Sequence, residues 1–127
     1  MNDTLSIDVW APVIAAMHAL VVPLGAQRGV PISAARGDAS IDGKPRFVVM
    51  AGDRGALVMA LLASERVVEC HWELDNRVAW RGRYRVEEDG AWLGPLVAGA
   101  ESRRMSEPEE IARDLLDGWL TAVKPHH

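Results

Sequence analysis

"ECHWELDNRVAWRGRYRV", residues 69–86, decides the fold, because its two halves alternate in polarity and only one way of pairing them keeps that alternation. In an extended strand, alternate side chains share a face. Val68, Cys70, Trp72 and Leu74 therefore point one way, and Glu69, His71 and Glu73 the other. In the second half Val78, Trp80, Gly82, Tyr84 and Val86 form the apolar side, opposite Ala79, Arg81, Arg83 and Arg85. A three-residue loop, Asp75-Asn76-Arg77, pairs Leu74 with Val78, Trp72 with Trp80, Cys70 with Gly82 and Val68 with Tyr84. A two-residue Asp75-Asn76 turn would set Trp72 against Ala79 and mix the faces, which a buried face does not tolerate. The odd-length loop is the expected one.

This register places Glu69 opposite Arg83 and His71 opposite Arg81, where opposite charges contribute about 0.2 to 1 kcal/mol per pair. Cys70 and His71 point to opposite faces, so they cannot form a thiolate and imidazole pair. Glu69, His71 and Glu73 do share a face, about 6.5 to 7 Å apart in steps of two residues. A metal would need flanking ligands that the sequence does not supply, and the neighbouring arginines would repel it. Arg77, Arg81, Arg83 and Arg85 are interleaved with Trp80 and Tyr84 as in a nucleic-acid surface, but the aromatics face away from the arginines. Glu87, Glu88 and Asp89 then cancel the local charge. The polar face reads as a solvated or partner-binding surface made of Glu69, His71, Glu73, Arg81, Arg83 and Arg85.

Downstream, "EEDGAW" (87–92) holds an Asp89-Gly90 turn of the type I′ kind, which pairs Val86 with Leu93 and Glu87 with Trp92 and carries the meander to about Val97. That pairing puts Trp92 on the polar side, as a candidate partner contact. "SEPEEIARDLLDGWL" (106–120) predicts a helix with Ser106 as N-cap, Pro108 in the first turn and Glu109 completing a capping box. Glu109 and Arg113 form a four-residue pair. Ile111, Ala112, Leu115, Leu116, Trp119, Leu120 and Val123 make a broad apolar stripe that suits packing on a sheet. Gly118 weakens this helix by about 1 kcal/mol.

Upstream, Phe47–Ala51 reads as a strand, followed by a Gly52-Asp53-Arg54-Gly55 turn and an apolar run to Ala63. Periodicity alone does not type that run. The Gly-flanked turn favours a hairpin strand, with a helix over 56–64 as the alternative. Residues 25–45, rich in Gly, Pro, Ser and Asp, form a loop-rich segment with a short strand at Val30–Ala34 and a mobile turn at Arg36-Gly37-Asp38. Arg36 and Asp38 are candidate partner contacts there. Before it, a helix starts near Asp8 and ends at Pro23 and Gly25. Trp10, Val13, Ile14, Met17, Leu20, Val21 and Leu24 recur along one stripe. Ala11, Ala15, His18 and Val22 lie opposite, small and nearly uncharged, so a second cover is expected on that side, from the domain or from a second copy in a homodimer.

The expected architecture is α+β: an N-terminal helix, an antiparallel meander of four to six strands, and a C-terminal amphipathic helix packed on the sheet. A chain of 127 residues suits one globular domain over residues 1–127. Its 49% hydrophobic and 25% charged residues are those of an ordinary globule. The net charge of -4 argues against nucleic acid as a partner. The apolar run Val9–Leu24 is too short to span a membrane, and "MNDTLSID" lacks the basic leader of a secretory signal. Cys70, the single cysteine, fits a reducing compartment, and a cytoplasmic location with no membrane partner is expected.

Motif searches fail in informative ways. "GDASIDGKP" departs from a phosphate loop, with five residues between Gly37 and Gly43 and Pro45 after Lys44. No cofactor or metal is expected, and His126 and His127 receive no role. The leading expectation is a small acidic non-catalytic module that binds a protein. Small size, acidity and a helix-sheet-helix layout are shared with secretion chaperones and toxin-immunity proteins. The alternative is a small-molecule binder or small enzyme, with a pocket between the sheet and the N-terminal helix served by His18, His71 or Asp38.

Overall fold

The longest strand run, residues 67–86, folds into the hairpin at the middle of an antiparallel sheet, and everything else is placed relative to it. The computed structural model describes residues 2–39, 45–52, 55–96 and 101–123. In chain order these form α1 (Asn2–Arg28), β1 (Ala34–Ala39), β2 (Pro45–Met50), β3 (Gly55–Leu62), a short 3₁₀ turn (Ala63–Glu65), β4 (Val67–Leu74), β5 (Arg77–Val86), β6 (Trp92–Gly94), β7 (Arg103–Met105) and α2 (Pro108–Val123). The seven strands pair in sequence order as one open meander. The α+β expectation holds, with seven strands where four to six were expected. The additional strand is β7, three residues inside "ESRRM" that pair with β6.

The hairpin keeps its predicted face and changes its means. Trp72 pairs with Trp80, Cys70 with Gly82 and Val68 with Tyr84, as the polarity demands. The turn, however, has two residues: Asp75 and Asn76, both at positive φ (53° and 65°) as a type I′ turn requires. Leu74 pairs with Arg77 and Glu73 with Val78, and a bulge between Trp72 and Glu73 absorbs the extra residue, Ala79. A bulge adds one residue to one strand, so it repairs the phase error that a two-residue turn introduces. Turn chemistry and burial are both satisfied.

One sheet face is covered. Phe47, Val49, Leu57, Met59, Leu61, Val68, Cys70, Tyr84, Val86, Trp92 and Met105 are buried there beneath the two helices. The run 55–62 is strand, as read from its hairpin turn, and the 56–64 helix is excluded. Asp53 and Arg54 of that turn lie outside the described residues. From α2, all seven predicted stripe residues are buried. Its first intrahelical bond runs from the Ile111 N–H to the Glu107 carbonyl, so Glu107 rather than Ser106 is the cap, and Pro108 takes the first helical position. The expected Arg113–Glu109 pair forms at 3.2 Å.

The N-terminal helix is longer than predicted at both ends. It passes Pro23, whose side chain and that of Ala19 are both exposed, so the carbonyl deprived of its donor lies on the solvent side. The stop is Gly29, at φ 71°. Its N–H bonds the Ala26 carbonyl while the Val30 N–H bonds that of Gly25, a Schellman closure. Gly25 has another role: a Cβ there would lie 2.6 Å from the Val30 carbonyl oxygen, so only glycine lets the chain fold back so closely. Arg28, in the last turn, donates to Asp117 at 2.7 Å and to Thr121 at 3.1 Å, tying α1 to α2. Continuation through Pro23 also makes Trp10–Arg28, 19 residues, long and apolar enough by composition to cross a membrane, contrary to the reading of the shorter run. Trp10, Val13, Met17, Val21 and Leu24 of that stretch are spent on the core.

Two further readings need correction. Of Val30–Ala34 only Ala34 is strand, and Arg36-Gly37-Asp38 is not a turn: all three lie within β1, paired with Val48, Phe47 and Arg46 of β2. An edge strand needs only one neighbour's ladder, and that ladder outweighs the weak strand propensity of Gly and Asp. The expected second cover over Ala11, Ala15, His18 and Val22 is not supplied by the described residues, where all four side chains are exposed.

Candidate interaction surface

The second face of the sheet, turned away from both helices, has no covering layer among the described residues. Register assembles it row by row. Arg36, Val48, Val58, His71 and Arg81 form one row across five strands. Strand spacing of about 4.8 Å makes that row roughly 19 Å long. A second row contains Arg46, Ala60, Glu69 and Arg83, with Asp38 opposite Arg46 at the β1 end. A third contains Met50, Ala56, Glu73 and Val78, and a fourth Leu62, Val67, Arg85, Leu93 and Arg104.

The structure thus brings Glu69, His71, Glu73, Arg81, Arg83, Arg85 and Arg36 onto one face, with Asp38 at a matching register position. The side chain of Asp38 lies outside the described set. Trp92 is the exception. It is fully buried on the helix side, paired with Val86 and Met105, and cannot touch a partner. The reason is the length of the β5–β6 loop. Glu87 N–H donates to the Ala91 carbonyl, and Gly90 N–H to that of Glu87, so five residues separate Val86 from Trp92. A tight two-residue turn would have exposed the tryptophan and buried Leu93; burying the larger ring wins.

The charges on this face are arranged locally. Arg83 approaches Glu69 at 3.3 Å and Glu65 at 3.7 Å, Arg85 lies 3.7 Å from Glu87, and His71 Nε2 lies 2.8 Å from Glu73 Oε2. Among the described residues Arg81 has no ion-pair partner, although its cross-strand neighbour is His71. Exposed pairs of this kind contribute about 0 to 1 kcal/mol each.

Across β2 and β3 the same face is apolar apart from Arg46: Val48, Val58 and Leu62, with Val67 of β4 beside them, are half-buried, and Met50 is 43% exposed. Sequence reasoning missed this half because β2 and β3 are apolar on both sides, and a continuous apolar run carries no phase.

Cys70 sits on the covered face, where burial, reinforced by the Glu69 charge, pushes its thiol well above the ordinary range. It and His71 are separated by the sheet. Among the described residues no group of three His, Cys, Asp or Glu side chains is placed to hold a metal ion. On the helix side, Trp10, Ile14, His18, Gly37 and Arg46 line a cleft of about 430 Å³ between α1 and the β1–β2 edge, and His18 meets the Phe47 ring edge-on at 4.9 Å. His71 lies on the far side of the sheet, so a site using both histidines does not form.

No known protein family, curated protein or solved structure matches the chain.

Proposed function

We propose that the protein is a small non-catalytic module that binds another protein through the uncovered sheet face. The observation that carries this reading is the placement, on one side of a sheet whose other side is already packed, of a half-buried apolar area beside a row of arginines and glutamates. An apolar patch rimmed by charge is the usual form of a protein-binding surface. The expectation of a toxin-immunity or secretion-chaperone type of role rests on this general layout. A cytoplasmic location suits a protein with one buried thiol.

Immobilised protein should capture one dominant partner from the native cell lysate. Charge reversal at Arg81 and Arg83 should abolish that capture while the fold is retained. Equal capture by both forms would remove this face from the account, and no enriched protein at all would remove the binding-module reading.

A second reading, binding of a small apolar molecule, is favoured by the cleft around Trp10, Ile14 and His18. His18→Ala would then weaken ligand binding while leaving partner capture unchanged.

A further inference from the structure

Resting on the protein-binding reading, we propose that the open edge of β5 takes up an extended peptide of the partner as an additional strand, one whose residues alternate between apolar and acidic. β5 is ten residues long, but β6 pairs only with Arg85 and Val86. Beyond these, the Leu96 N–H donates to the Arg83 carbonyl. Among the described residues no strand pairs with Arg77–Gly82 on that side.

Backbone direction follows from two bonds. The Val86 N–H donates toward β4, to the Arg66 carbonyl, whereas the Arg83 carbonyl accepts from Leu96 on the opposite side. From Trp80 to Val86, on the far side of the bulge at Ala79 from the turn, odd-numbered residues therefore turn their N–H and C=O groups away from β4, and those of Arg81 meet the open edge. A long strand edge with unpaired backbone groups is a template for strand addition.

The two flanks of this edge differ in chemistry, which selects the occupant. On the helix side lies a cleft of about 470 Å³ lined by Trp72, Trp80, Tyr84, Pro95 and Leu115. Trp72 and Trp80 are stacked there with centroids 4.6 Å apart. On the outer side a depression of about 290 Å³ is lined by Glu69, His71, Arg81, Arg83 and Leu96. A peptide residue opposite Arg81 points outward, to the arginine that has no ion-pair partner, while its two neighbours point into the aromatic cleft. The Trp72, Trp80, Tyr84 and Leu115 side chains lining that cleft favour apolar over acidic residues in the inward positions. A second copy of β5 is a poor occupant, because antiparallel pairing about Arg81 would set arginine against arginine.

The test uses fluorescein-labelled ten-residue peptides and anisotropy titration of the full chain. A peptide of alternating valine and glutamate should bind. Alternating valine and lysine, and a block peptide of five valines followed by five glutamates, should bind at least about tenfold more weakly. Arg81→Glu should weaken the first peptide by about tenfold or more. Arg81→Pro, which removes an N–H that faces away from β4, should abolish its binding. If Arg81→Pro unfolds, Arg81→Glu decides. No binding of the alternating valine–glutamate peptide, equal binding of all three peptides, or binding indifferent to Arg81→Glu overturns the proposal. A captured protein partner that both Arg81 variants retain would refute this edge while leaving the binding module intact; the absence of any captured partner would refute the module itself.

Discussion

Replacing Gly82 by alanine should destabilise the protein, and should cease to do so once Trp80 is removed. A Cβ at Gly82 would lie 2.3 Å from one carbon of the Trp80 ring and 2.6 Å from another, and the three nearest atoms all belong to that ring. Neither distance is tolerable, so the indole must swing off the strand and lose its stack on Trp72, at 4.6 Å between centroids. Overpacking of this kind costs about 1 to 3 kcal/mol. Against it stands the gain from replacing glycine inside a strand, about 0.5 to 1 kcal/mol. The net expectation for Gly82→Ala, taking the middle of each range, is a loss of about 1 kcal/mol. In a Trp80→Ala background only the gain remains, and the same substitution should be neutral or stabilise by about 0.5 to 1 kcal/mol. Urea unfolding of the four proteins in this cycle measures the coupling, and near-ultraviolet circular dichroism reports whether the tryptophan pair is still stacked. Gly82→Ala costing the same in both backgrounds, with the stacking signal intact, would refute the claim that the glycine exists to seat Trp80.

Two further outcomes follow from the covered side of the sheet and from the end of α1. Because burial raises the Cys70 thiol in the folded state, the unfolded chain releases that proton first as pH rises; stability should be flat below the ordinary thiol range near 8.5 and then fall by up to about 1.4 kcal/mol per pH unit. Urea titrations between pH 7.5 and 9.5 should lose that slope in Cys70→Ala, and an unchanged slope would refute the assignment. Gly29→Ala meets no atom within 4 Å, so its cost should be conformational alone, about 1 to 2 kcal/mol for a side chain at φ 71°. A urea midpoint equal to that of the original protein would show that α1 ends some other way.

Where the sequence carries phase, it was legible. Residues 68–86 alternate so strictly that the pairing of Trp72 with Trp80, and of Glu69 with Arg83, follows from polarity. The device that achieves it, a type I′ turn plus a bulge at Ala79, does not, because an odd loop satisfies the same polarity. The stripe of α2 was complete for the same reason: one polar side and one apolar side fix a rotation. α1 lacks a polar side, so its ends had to be read from breakers, and Pro23 misleads because a proline on the solvent side of a helix is tolerated. Trp92 was misplaced by one residue of loop length, which in a strand reverses the face. Asp89-Gly90 suggested a tight turn, yet burying an indole outweighs a favourable turn sequence. The candidate surface was legible in its charged half and silent in its apolar half, where Val48 and Val58 stand among neighbours equally apolar on the other side.

The most direct test of the account is amide hydrogen exchange of the full chain, alone and with its captured partner. Binding through the uncovered face and its β5 edge predicts slower exchange in peptides covering β4 and β5, residues 67–86, with α1 unchanged. Slowing confined to residues 10–28, with the sheet unaffected, would contradict it and move the binding site to the helix side.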